Sequence, residues 1–142
     1  MSGPAPGSEP LDLTPGQALP IWRQGPITQQ QLVEWCAAEN DYNPIHFEEG
    51  RAHAIGLPGR PIQGTFRFAL LAQYLRRYLP GWRLERIACR YAGLALVGDT
   101  LEMSGSVTMR EGGRLVLALH SRNQSGILVA TGEAELVASA RE

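Results

Sequence analysis

Residues 41–46 read DYNPIH, which sets a carboxylate and an imidazole five positions apart with a rigid proline between them. Such a pair can do proton chemistry. An ionised Asp41 accepts protons and hydrogen bonds. His46 can accept or donate near neutral pH, because an unperturbed imidazole titrates at about 6.5. Flanking a stiff turn, the two side chains can converge on one water, one group taking a proton while the other gives one. Asn43 suits Asx-type bonds to the backbone, and Pro44 removes freedom that would blur the geometry. The same residues also fit a plain loop, with Asp41 capping the preceding turn and His46 as a partly buried polar group. A metal would need a third and a fourth ligand. His53 is the only nearby candidate and lies in a charged amphipathic segment, so no metal is expected.

A second set of groups lies further on. PIQG (61–64) leads into the longest helical stretch, Thr65 to Tyr78. The first amides of a helix lack internal acceptors, and the helix end carries roughly half a positive charge. Gly64 lets a ligand approach that backbone closely. The result is a donor suited to a carbonyl oxygen that becomes negative during reaction. A turn glycine ahead of a helix would look the same.

The elements that must position these groups are legible from periodicity. Residues 1–16 are rich in Pro and Gly and read as a flexible tail, with the domain over 17–139. Residues 17–27 suit an edge strand or extended arm broken by Pro20 and Pro26. Thr28 and Gln31 form a capping-box pair opening a helix to about Ala38, with Ile27 placed to staple onto Leu32. A short helix is expected within 47–56. In the long helix, Phe68, Ala69, Leu71, Ala72 and Leu75 recur at helical spacing, and Phe66, Leu70 and Leu79 extend the apolar surface. Phe66, Phe68 and Leu70 are either core or the lining of a pocket. Four strand-like runs follow, over 84–93, 100–110, 115–122 and 127–137, with turns at 111–113 and 123–126. The order predicts an α+β domain in which an antiparallel meander wraps one long central helix.

Composition excludes several classes. With 142 residues and a net charge of −1, the chain is one ordinary domain whose bulk charge steers it to neither nucleic acid nor anionic membrane. No apolar run reaches the roughly 20 residues that span a bilayer. The N-terminus lacks the charged and apolar regions of a secretory signal, so a cytoplasmic location is expected. Cys36 and Cys89 read as reduced, packed thiols. All thirteen basic residues are Arg. Arg76, Arg77, Arg83, Arg86 and Arg90 crowd one stretch with Glu85 as its sole acid, which suits phosphate groups, an acidic partner surface or a solvated rim.

At this point the chain resembles the MaoC-like hydratases of the hot-dog fold, among them R-specific enoyl-CoA hydratases and (R)-3-hydroxyacyl dehydratases. The resemblance spans roughly Leu19 to Val137. It rests on DYNPIH, the short helix after it, PIQG before the long helix, and YAGLALVGDTLE (91–102). It implies that Asp41 and His46 hold the water that adds to an α,β-unsaturated thioester, that the Gly64 amide polarises the thioester carbonyl, and that Asn43 supports the loop. It implies no cofactor, an acyl-CoA or acyl-carrier-protein substrate, and a homodimer or a heteromer with a paralogous hot-dog subunit. Two departures stand out. Glu39-Asn40 replaces a Ser-Gly common in the family, which alters the local turn. Gln63-Gly64 replaces a common His-Gly, and Gln63 can hydrogen-bond but not titrate, which points to a different substrate. A hot-dog thioesterase and a non-catalytic subunit of a heteromeric dehydratase are the competing readings.

Overall fold

The computed structural model describes residues 11–140. Helix α1 (Gln29–Glu39) is followed by a 3-10 turn (Pro44–His46), a short helix α2 (Glu49–Ala54) and the long helix α3 (Gly64–Tyr78). Strand β1 (Trp22–Gln24) precedes them, and β2 (Trp82–Tyr91), β3 (Leu101–Glu111), β4 (Arg114–Arg122) and β5 (Leu128–Ala138) follow. The five strands form one antiparallel sheet in the order β1-β3-β4-β5-β2, and α3 packs against one face of it.

The sheet differs from a simple meander in one respect. β3, β4 and β5 do pair in sequence, but β2 pairs with β5 at the far edge rather than with β3. The connection after β2 is long, and it is used to fasten another loop. Ile62 donates to Ala95 and Val97 to Arg60, with Pro61 bridged to Leu96.

Alternation places the core. Leu101, Met103 and Val107 of β3 and Leu115, Leu117 and Leu119 of β4 point inward at every second position. They meet Leu70, Leu71, Tyr74 and Leu75 of α3. Gly105 makes room for Tyr74: a Cβ there would stand 3.2 Å from its ring. The Tyr74 hydroxyl donates to the Pro20 carbonyl at 2.8 Å, and burial pushes its phenol up.

The buried face of α3 is rotated from the apolar stripe in the sequence. Arg67, Leu70, Leu71, Tyr74 and Leu75 are buried, whereas Phe68, Ala69 and Ala72 are only half-buried. Of the expected tail, residues 1–10 lie outside the described residues. Over 11–16, Leu11 and Leu13 pack on the core and the Gly16 amide bonds Val107. Trp82 and Tyr78 pack against the core, and both cysteines are free thiols. Among the described residues no helix is long and apolar enough to cross a membrane.

Candidate active site

The end of α1 sets the position of Asp41. Asn40 takes a left-handed conformation (φ 59°) and its amide bonds Cys36, as does that of Asp41. Asn is among the few non-glycine residues that tolerate this region. Asn40 therefore makes the left-handed turn that a glycine would make there, and the departure from Ser-Gly keeps a tight helix exit.

The loop then locks itself. The Asn43 amide donates to Asp41 Oδ1 at 3.1 Å, and Asn43 Oδ1 accepts from the Ile45 amide at 3.3 Å. Pro44 opens the 3-10 turn that ends at His46. Gln29, at the start of α1, ties this loop to the next: its Nε2 donates to the His46 carbonyl at 2.9 Å and its Oε1 accepts from Arg60.

His46 is buried and its Nδ1 lies 2.8 Å from the Pro61 carbonyl. A carbonyl only accepts, so Nδ1 carries the hydrogen and Nε2 is the free nitrogen. Nε2 faces Asp41 Oδ2 at 3.8 Å. That is too long for a direct hydrogen bond and the right order for a bridging water. Asp41 is more open, with 41% of its side chain exposed against 10% for His46, so the pair has one buried and one solvent-facing member.

Pro61 stands three residues before Gly64, so the His46 anchor and the mouth of α3 share one short segment. The amides of Gly64, Thr65 and Phe66 have no acceptor among the described residues. No side chain caps this end and no acid lies in its first turn. Gln63 turns away into the core, where its Nε2 donates to the Leu32 carbonyl and contacts Cys36 Sγ, both at 3.1 Å. Its Oε1 is buried without a partner. Burial pushes the Cys36 thiol up. Trp35 donates to Thr65 Oγ1 at 3.0 Å and meets Phe66 edge to face.

Gly64 packs against a neighbour that the sequence did not reveal. A Cβ there would stand 2.9 Å from the Tyr91 ring and 3.0 Å from its hydroxyl. The Arg67 guanidinium stacks on that ring, 4.7 Å from its centroid. Arg67 is buried and donates from Nη1 to the carbonyls of Gly93 (2.9 Å) and Val129 (3.2 Å). Gln29, Arg60 and the Pro61 carbonyl were likewise silent in sequence.

The arginine-rich stretch is not brought to Asp41 and His46. Arg83 pairs with Glu85 at 3.2 Å, and Arg86 reaches Glu133 at 3.8 Å and Glu135 at 4.0 Å, all on a solvent face. Arg77 stacks near Trp22 and Tyr78. Arg76 is exposed in the last turn of α3, about 18 Å along the helix from Gly64. His53 is exposed, 3.4 Å from the Pro58 carbonyl, and no group of three His, Cys, Asp or Glu side chains gathers as a metal site among the described residues.

The fold is shared with known proteins. The family model for the MaoC like domain matches residues 12–123. R-hydratase PhaJ1 from Pseudomonas aeruginosa superposes with a TM-score of 0.83 at 25% identity, covering 92% of this chain and 84% of that one. The ChsH1-ChsH2 complex from Mycobacterium tuberculosis shares the fold, with a TM-score of 0.80 at 22% identity over 88% of this chain and 98% of that one. The beta subunit of fatty acid synthase from Saccharomyces cerevisiae is 26% identical over 125 residues, 83% of this chain, and the chain spans only 6% of that relative's length. The chain belongs to the MaoC-like family of hot-dog hydratases and dehydratases.

Proposed function

We propose that the protein reversibly hydrates trans-2-enoyl thioesters to (R)-3-hydroxyacyl thioesters. The observation that carries the reading is His46 Nε2, freed by the Nδ1–Pro61 bond and set 3.8 Å from Asp41 Oδ2. One water between them donates to both acceptors. Its oxygen attacks the β-carbon as His46 takes a proton, and negative charge moves to the thioester oxygen. The free amides at the mouth of α3, Gly64 first, receive that charge. The proton returned to the α-carbon completes the addition of H and OH, so atoms balance without a cofactor. General acid–base help of this kind is worth about 10²–10⁴-fold and an oxyanion donor about 10²–10³-fold.

Asn43 and Gln63 act here as supports, one on the acid–base loop and one behind the helix mouth. The fatty acid synthase relative supports an acyl thioester as the substrate class, carried on coenzyme A or on a carrier protein. We place the phosphate end of the carrier near Arg76 and Arg77, and leave out Arg83 and Arg86, whose charge Glu85, Glu133 and Glu135 already meet. The working unit is a homodimer, or a heteromer with a paralogous subunit.

The test is a panel of trans-2-enoyl-CoA esters, with enoyl absorbance and free thiol followed together. Absorbance loss without thiol is the expected result. Thiol release would make the protein a thioesterase instead.

A further inference from the structure

We propose that Tyr91 is a second hydrogen-bond donor to the substrate's thioester carbonyl, and that Arg67 is the positioning residue that holds its ring beside Gly64. The inference rests on the hydration reading above.

Three observations carry it. First, the Tyr91 hydroxyl lies 3.0 Å from where a Gly64 Cβ would stand, which puts it within about 6 Å of the Gly64 nitrogen. Two donors at that separation can share one carbonyl oxygen, each at ordinary hydrogen-bond length. Second, the hydroxyl makes no hydrogen bond with any described residue, and Tyr91 as a whole is 46% exposed, so a ligand can reach the residue beside the helix mouth. An aromatic ring held beside a helix start with its hydroxyl unspent is a preorganised donor.

Third, Arg67 has no ordinary reason to be where it is. It sits one turn into α3 from Gly64, 9% exposed, with no carboxylate partner among the described residues. Its Nε is buried and unpartnered. A buried charge left this incompletely paired is costly, and a leucine would suit a core face better. What Arg67 does have is the face of Tyr91 and the two carbonyls that flank the strand end beyond it. It supports one face of the ring. Burial pushes the Tyr91 phenol up against the pull of Arg67, so the hydroxyl keeps its proton at neutral pH and can donate.

Tyr91→Phe keeps the ring, its contact with Gly64 and its stack on Arg67, and removes only the donor. The experiment compares wild type, Tyr91→Phe, Arg67→Met and the double variant on the best ester of the enoyl-CoA panel. It also records the thioester carbonyl stretch of a bound, unreactive saturated acyl-CoA. Tyr91→Phe is expected to lower kcat about 10–100-fold with KM nearly unchanged, and to move the carbonyl band back towards that of the free ester. Arg67→Met is expected to lose less, and to lose nothing further in the Tyr91→Phe background. Wild-type kcat and carbonyl band in Tyr91→Phe would overturn the inference. The hydration reading would still stand on wild-type turnover and its loss in Asp41→Asn. Additive losses in the double variant would overturn the role of Arg67 through Tyr91. A wild type inert on every ester would overturn the reading and this inference together.

Discussion

Two helices begin close to the candidate site, and they begin in opposite ways. At the start of α1, Thr28 Oγ1 accepts from the Gln31 amide at 3.2 Å and Gln31 Oε1 accepts from the Thr28 amide at 2.8 Å. Both orphan donors are satisfied by a full capping box, which stabilises the helix. At the start of α3 there is no cap. Gln63 occupies the N-cap position but spends its amide on Leu32 and Cys36, and the first residue of the helix is glycine. A helix that needed only to be stable would close this end with Ser, Thr or Asp. The difference teaches where the chain keeps its unspent donors: at the helix mouth beside Tyr91, three residues on from the carbonyl that anchors His46.

The contrast is broken most forcefully at the acid–base pair. Asp41→Ala and His46→Ala should each lower kcat per folded molecule by about 10²–10⁴-fold. Normal turnover in both purified variants would remove the pair from the mechanism. The next effect is at the uncapped start. Gly64→Ala drives a methyl group to within 2.9 Å of the Tyr91 ring. The half-exposed ring can swing aside, so the fold should hold while kcat drops about 10-fold or more. Thermal melting and steady-state kinetics separate the two.

The capped start should respond in the opposite sense. Thr28→Ala should cost about 1 kcal/mol of stability, seen as a melting point lower by roughly 2–4 °C, with kcat per folded molecule unchanged. A kcat loss without a stability loss would erase the distinction between the helices. The smallest effect is expected far along α3. Arg76→Glu should raise KM for coenzyme A esters a few-fold at low salt and leave kcat alone, an effect that added salt diminishes. An unchanged KM would leave Arg76 as plain surface.

Much of this was legible before the structure. The D-x-N-P-x-H spacing displayed the loop, because Asn43 and Pro44 act through their own backbone and need no distant partner. Thr28 and Gln31 announced α1 for the same reason. The strands of the meander were clear because β3 and β4 alternate strictly. What stayed hidden depends on contacts between distant segments. The Pro61 carbonyl that fixes the His46 tautomer has no side-chain signature. Arg67 and Tyr74 sit in the buried row of α3, but a search for apolar periodicity passes over Arg and ranks Phe68, Ala69 and Ala72 instead. Tyr91 ends a strand whose pairing with β5 no local pattern predicts. An arginine one turn after the helix-opening glycine was the available signal. The arginines at 83 and 86 showed the reverse problem: the sequence displayed positive charge, while the carboxylates that meet it come from β2 itself and from β5.

The most direct test of the account is the fate of water itself. A trans-2-enoyl-CoA ester would be incubated with the protein in water labelled with heavy oxygen, and the product analysed for label and for chirality. The account predicts label in the 3-hydroxyl group of an (R)-3-hydroxyacyl-CoA, lost in Asp41→Asn. Label appearing in a free carboxylate, or a product of S configuration, would contradict it.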